Sequence, residues 1–260
     1  MIRELKLKPD FESTIKRFEA WWHGEIHDRP LITIGVPSGR QPDWPAEKQW
    51  NSLREKWFDV EYNVQRLIAR VEAGSYYADS VPVIFPNVGP ELTGTAFGCE
   101  LEFSEQTSWS VPTVRDLNDW KQYVDADPDF DNDYWRCIEQ ATDMLIDRCD
   151  GRYIVGLPDL HGNYDILCAL REPELLCMDM ADDPELITKV GRNLRRGYIE
   201  GFKRMYGKLS AAGFGSSTWT PMYHEGPAYV PNCDFWCMVS GEMAREMILP
   251  DIRAEMAAMD

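Results

Sequence analysis

The chain has 260 residues, 44% of them hydrophobic and 27% charged, with a net charge of −17. That length can bury a substantial core, and the composition is that of a globular protein. The acidic balance excludes a nucleic-acid partner and an anionic membrane surface, which both require clustered Lys and Arg, but it leaves room for a local cationic pocket.

The first residues, Met1-Ile-Arg-Glu-Leu-Lys-Leu-Lys8, hold no apolar targeting segment, and no run is long and apolar enough to span a membrane. Seven scattered cysteines, an odd number, fit reduced thiols and a cytoplasmic protein better than a disulfide framework.

Phe11, Ile15, Phe18 and Trp22 recur at helical spacing and predict a helix over 11–24 closed by Gly24. Leu31 to Val36 is a β-prone run, and Pro37 to Pro42 is a loop. Residues 46–73 read as one helix, with Trp57, Val60, Val64, Leu67 and Val71 as its apolar stripe and Gly74 as its stop. Val81 to Phe85 is continuously apolar, as in a strand buried on both faces.

Beyond Pro86-Asn87-Val88-Gly89-Pro90 a small helix ends at Gly98, and residues 100–103 and 107–111 form a two-stranded excursion. Helices are expected over 116–124 and 131–149, then a strand over 152–157. The polar loop Pro158 to Tyr164 leads into a helix over 165–180, and Asp183-Pro184 opens a long helix to about 208. A strand over 213–218 and a loop over 219–226 follow. In the segment Tyr229 to Pro250, Asp234 and Ser240 each read as the cap of a short helix.

Strands alternating with long helices imply an α/β fold with a parallel sheet. Four or five βα units fall short of an eight-stranded barrel, and the sequence stops within a helix at 257–260. The expectation is a single (β/α)8 TIM-barrel domain over 1–260, incomplete and lacking its C-terminal strands. A short open sheet competes with it and would need its strand edges satisfied.

Several segments, in order, resemble the uroporphyrinogen decarboxylase superfamily. Arg29-Pro30, the first strand and Gly39-Arg40 match that family's first strand and arginine loop. Val83 to Val88, followed by Phe97-Gly98-Cys99-Glu100-Leu101-Glu102-Phe103, matches its second strand and hairpin. Asp182-Asp183-Pro184-Glu185 fits, and Asp234-Phe235 followed by Ser240-Gly241-Glu242-Met243 and Leu249-Pro250 resembles a late segment of the family, with Gly241 in place of a proline. The family's two carboxylate-binding arginines fall on Val36 and Arg40, and its catalytic aspartate falls on Asn87. These departures turn the implied activity away from porphyrinogen decarboxylation. The superfamily also holds corrinoid-dependent methyltransferases, whose zinc ligands lie beyond the corresponding part of this sequence.

Barrel chemistry sits at the C-terminal ends of strands, which selects four loops. Arg40 could clamp a carboxylate or phosphate, or be a solvated loop residue. Asn87 could bind substrate, or be a turn asparagine. Asp159 and His161 could share acid–base work, with Asp159 otherwise a helix cap. Tyr164 could donate a phenol or pack as an aromatic. Trp219, Tyr223 and His224 stand in a loop of binding character. Cys233 and Cys237 are four apart but read as buried thiols, His23 and His27 as structural, and the residues present offer no metal site.

The resemblance implies an enzyme acting on a small organic substrate. Methyl transfer to or from a corrinoid or thiol acceptor comes first and decarboxylation second, with a non-catalytic binding relative as the third reading. Zinc and a corrinoid enter as cofactors by resemblance only, as does a corrinoid protein as partner. A homodimer stays open.

Overall fold

The computed structural model describes residues 2–220 and 222–259. Its strands are β1 (Thr33–Pro37), β2 (Gly74–Ala78), β3 (Val83–Ile84), β4 (Glu100–Phe103), β5 (Ser108–Val111) and β6 (Ile154–Val155). Its helices are α1 (Phe11–Trp22), α2 (Leu53–Phe58), α3 (Val60–Glu72), α4 (Leu92–Thr95), α5 (Asp133–Asp147), α6 (Asn163–Arg171), α7 (Pro173–Asp182), α8 (Pro184–Ala211), α9 (Gly241–Met243) and α10 (Leu249–Ala257). The architecture is mixed α/β. The strands form three two-stranded sheets, and among the described residues none closes into a barrel. The chain divides into two compact units, one of Met1–Pro86, Cys137–Pro158 and Met205–Val230, the other of Asn87–Arg136, Asp159–Arg204 and Pro231–Asp260.

In the first unit, α1 buries Phe11, Ile15 and Phe18, as their spacing predicts, whereas Trp22 of the same pattern is exposed. Gly24 follows at φ +72°, a left-handed conformation that suits glycine at a helix end. The expected helix over 46–73 is two helices, because polar caps inside the run start each one. Ser52 Oγ accepts from Glu55 N at 3.1 Å, and Asp59 Oδ1 accepts from Tyr62 N at 3.0 Å. Residues 41–50 carry no regular structure.

Directly after α3 the chain forms β2, which the sequence reading missed. It pairs antiparallel with β1, placing Ile34 opposite Tyr77 and Val36 opposite Ser75. The expected parallel pairing is realised between β3 and β6, with Val83 opposite Ile154 and Ile84 opposite Val155. The strand expected over 213–218 reduces to a single bridge between Ser216 and His224.

Beneath β1, the fully buried Asp79 accepts from Arg29 at 2.6 and 2.9 Å, from Arg17 at 3.1 Å and from Ile32 N at 2.9 Å. Two cations and a backbone donor thus satisfy one buried carboxylate, the condition under which a charge tolerates burial.

The second unit is built around α6. Ile166, Leu167, Ala169 and Leu170 of α6 are buried, as are Ile187, Val190 and Leu194 of α8. A second buried ion pair joins α6 to α7, with Arg171 Nε 2.8 Å from Asp179 Oδ2, and Trp120 Nε1 donates to the same oxygen at 2.8 Å. The hairpin β4–β5 forms where the sequence predicts it.

The segment after Ser240 is helical but irregular. Ser240 Oγ caps α9 by accepting from Met243 N at 3.1 Å. A π-helical turn then spans Ala244–Ile248, and Pro250 stands in the first turn of α10. On α10, the fully buried Glu255 reaches the N-terminus of α6, where its Oε1 accepts from Asn163 N at 2.6 Å and its Oε2 from Asn163 Nδ2 at 3.1 Å. Gly162 makes that approach achievable, because a Cβ there would lie 2.5 Å from Glu255 Oε1.

Candidate functional site

The loop Pro158–Gly162 follows β6 and feeds α6, and it brings two predicted residues together. His161 is 8% exposed. Its Nε2 lies 3.7 Å from Asp159 Oδ1 and its Nδ1 lies 3.6 Å from Asp165 Oδ2. Asp165 stands in the first turn of α6, and the loop entering that helix brings the second ring nitrogen of His161 to it. Both separations exceed a hydrogen bond, and the imidazole is therefore flanked by carboxylates without being bonded to either.

Asp165 also organises the segment downstream, accepting from Asp234 N and Phe235 N at 2.9 Å each. The expectation that Asp234 caps its own helix is corrected here: Asp234 is the first residue of a 3-10 turn, and the capping carboxylate is Asp165.

A third carboxyl, Glu91, precedes α4 and is under the electrostatic influence of His161, Asp165, Asp159 and Asp234. The residue is only partly buried, but its Oε2 is sealed from solvent and has no hydrogen-bond partner, and the same is true of Asp159 Oδ1. Burial pushes the Glu91 carboxyl up to about 7, opposed by His161 and reinforced by Asp165, Asp159 and Asp234. Burial likewise raises Asp159 and Asp165 above the usual carboxylate range, and His161 pulls each of them back. A carboxyl that holds its proton near neutrality beside an imidazole is a proton-transfer arrangement.

Tyr164, one turn into the same loop–helix junction, is fully buried with its ring against Gly191 of α8, so it packs in the core. Asn87 is exposed, and its Oδ1 accepts from Gly89 N at 2.7 Å. That is a side-chain-closed turn around Gly89, whose φ of +104° favours glycine.

The remaining predicted residues belong to the first unit. Arg40 is exposed, and the hydrogen bond it makes is a backbone one, from its N–H to Ser38 Oγ at 3.3 Å. Trp219 is exposed. Tyr223 is buried edge-on against Phe11, with ring centroids 5.2 Å apart, and its carbonyl accepts from Trp22 Nε1 at 2.8 Å.

His224 lines a hollow with Trp22, Ser216, Ser217, Thr218, Met222 and Ala228 to Val230; it encloses about 230 Å³, solvent at its mouth included. That is below the ~300–1,000 Å³ of small-molecule pockets. Its hydroxyls are already engaged: Ser216 Oγ donates to the Gly226 carbonyl and Ser217 Oγ to that of Met222. The hollow is the weaker candidate for chemistry.

Sequence reasoning missed Glu91, because the groups that act on it, His161, Asp165, Asp159 and Asp234, lie far along the chain and nothing adjacent marks it. It missed the site role of Asp165, because His161 lies outside α6 and no helical spacing links the two.

Zinc does not fit the described residues. No three His, Cys, Asp or Glu side chains among them converge as a metal requires. Burial raises the Cys233 thiol far above its ordinary range, and Cys237 Sγ donates to the Asp234 carbonyl at 3.1 Å. No described helix is long and apolar enough to cross a membrane. Compared with protein-family models, curated proteins and solved structures, the chain finds no match.

Proposed function

We propose that this chain is an enzyme acting on a small organic substrate, with His161 as its proton-transfer group. The carrying observation is the buried imidazole with a carboxylate at 3.6–3.7 Å from each ring nitrogen. An imidazole placed between two carboxylates can pass a proton to and from a bound substrate.

The resemblance to the uroporphyrinogen decarboxylase superfamily supplies the architecture and the reaction class. The architecture is a set of βα units of a (β/α)8 barrel. It is supported by the parallel pair β3–β6 and by the position of Asp159 and His161 directly after β6. The compartment is the cytoplasm, in keeping with seven free thiols.

Methyl transfer to a thiol or corrinoid acceptor is the first reaction class. A thiol acceptor must lose its proton, and the heteroatom that gives up the methyl group must gain one. His161 can take the first and return the second, and no step here runs through a metal or a corrinoid. Decarboxylation is the second reading, favoured by Glu91, whose buried carboxyl can keep a proton near neutrality for the carbon that CO2 leaves behind.

The test is to incubate the chain with methylated amines, ethers and thioethers and a free thiol, and to measure the S-methyl product by mass spectrometry. Uroporphyrinogen is assayed in parallel. Thiol methylation is expected, falling by roughly 10²–10⁴-fold in H161Q, the usual worth of a general acid–base. Coproporphyrinogen without thiol methylation selects the second reading. Wild-type turnover by H161Q removes His161 from the chemistry, and binding without turnover makes the chain a non-catalytic relative.

A further inference from the structure

We infer that the His161 cluster is built for a cationic substrate carrying N–H groups, a small primary or secondary organic ammonium. The inference rests on the reading of this cluster as the functional site and names what the site binds.

Three features of the second unit point the same way. His161 is a polar ring 8% exposed, with no hydrogen bond among the described residues and with a carboxylate oxygen 3.6–3.7 Å from each nitrogen. Next to it, Asp159 Oδ1 and Glu91 Oε2 are sealed from solvent without a donor. Carboxylate oxygens only accept, and buried ones without a donor cost free energy until something supplies N–H or O–H groups. Finally, among the described residues no Lys or Arg forms an ion pair with Glu91, Asp159 or Asp165. Elsewhere in the same unit Asp179 is paired with Arg171 and Asp251 with Arg195 at 2.5 Å, and Glu255, which has no cation partner among the described residues, has both oxygens satisfied by Asn163.

With the Glu91 carboxyl holding its proton near neutrality, Asp159 and Asp165 still set two carboxylates against one imidazole, and acceptors outnumber donors in the cluster. An anionic ligand would add like charge to a poorly solvated place. A neutral ligand could satisfy the acceptors but would leave the charge unbalanced. A protonated amine supplies two or three N–H donors and a positive charge together. The net charge of −17 further concentrates cations around the protein.

The test compares n-butylammonium, 1-butanol and butyrate, three probes of similar size and different charge, by NMR titration of the whole chain at fixed ionic strength. Butylammonium is expected to bind at least about tenfold more tightly than 1-butanol, and butyrate not to bind. The isosteric variant D159N should weaken butylammonium about tenfold, the loss of a charge-assisted hydrogen bond, and E91Q should weaken it less. In the wild-type protein, bound butylammonium should shift the His161 ring-proton resonances, a readout independent of any variant's folding.

Equal or tighter binding of 1-butanol or butyrate would overturn the inference, as would unchanged butylammonium affinity in the double variant E91Q/D159N. Ammonium binding at this site without turnover of any methylated compound supports the inference and ends the catalytic proposal. Turnover lost in H161Q, on substrates showing no preference for positive charge, does the reverse.

Discussion

Replacing Glu255 by glutamine should make the protein less stable in acid and more stable in base, and the structure sets the scale. Glu255 is fully buried on α10, and burial raises its carboxyl from the ordinary 4.5 to about 8, against the opposing hydrogen bonds from Asn163. In the unfolded chain the carboxyl ionises near 4.5, whereas in the folded chain it keeps its proton until about 8. Between those values the unfolded state binds fewer protons, so stability falls as pH rises. The slope is ~1.4 kcal/mol per pH unit, and the full window amounts to a loss on the order of 5 kcal/mol.

Glutamine does not titrate and removes that slope. It offers one acceptor oxygen where Asn163 N and Nδ2 now reach two, which costs about 1–3 kcal/mol at every pH. E255Q should therefore be the weaker protein at pH 4.5 and the stronger by about 2–4 kcal/mol at pH 8, the two curves crossing in between. Urea unfolding of both proteins across this range, followed by tryptophan fluorescence, measures the difference directly. A difference that stays constant to within about 0.5 kcal/mol between pH 5 and pH 8 would refute the reasoning, because it would mean that Glu255 ionises alike in both states.

The buried ion cluster and the cap make sharper, local predictions. Asp79→Ala leaves Arg29 and Ile32 N–H without this acceptor and Arg17 with Asp28 alone, and should cost about 3–5 kcal/mol in chemical denaturation. Burial alone would raise the Asp79 carboxyl, but Arg29, Ile32 N–H and Arg17 outweigh it and hold it below the usual range. The stability it contributes is present above that range and lost as acid protonates it, so D79N should flatten the acid limb of the wild-type curve. Ser240→Ala removes the acceptor for Met243 N and should cost about 1 kcal/mol, with faster hydrogen exchange concentrated at the Met243 amide.

Where residues interact with near neighbours, the sequence was readable. The 3.6-residue spacing of Phe11, Ile15 and Phe18 put one helix face in the core, and the pattern of 100–111 announced the β4–β5 hairpin. The break at Asp59 was also present, as an acceptor three residues before Tyr62 within an otherwise helical run, but the apolar stripe spoke louder. β2 was hidden because Gly74 looks like a helix stop and its partner β1 lies some 40 residues away in the chain. The strand expected over 213–218 fails because its backbone finds a single bridge partner, His224, and β-propensity alone does not make a ladder.

The site divides in the same manner. The spacing of Asp159 and His161 was legible as acid–base chemistry. Glu91 depends on α4 packing against α6, a contact that no local pattern encodes.

The π-helical turn over Ala244–Ile248 gives the chain a spare residue. An α-helical turn closes with 3.6 residues, and a π turn takes up roughly one more. Pro250 cannot donate to the carbonyl four residues back, which keeps that wider turn open. Shortening the chain by one position here would let the turn close to ordinary pitch while α10 keeps its faces, with Glu255 still directed at Asn163. A deletion one turn later, inside α10, would rotate Glu255 by about 100° and break that contact. Two neighbouring sites in one helix should thus tolerate loss of length very differently, one as slack and the other as register.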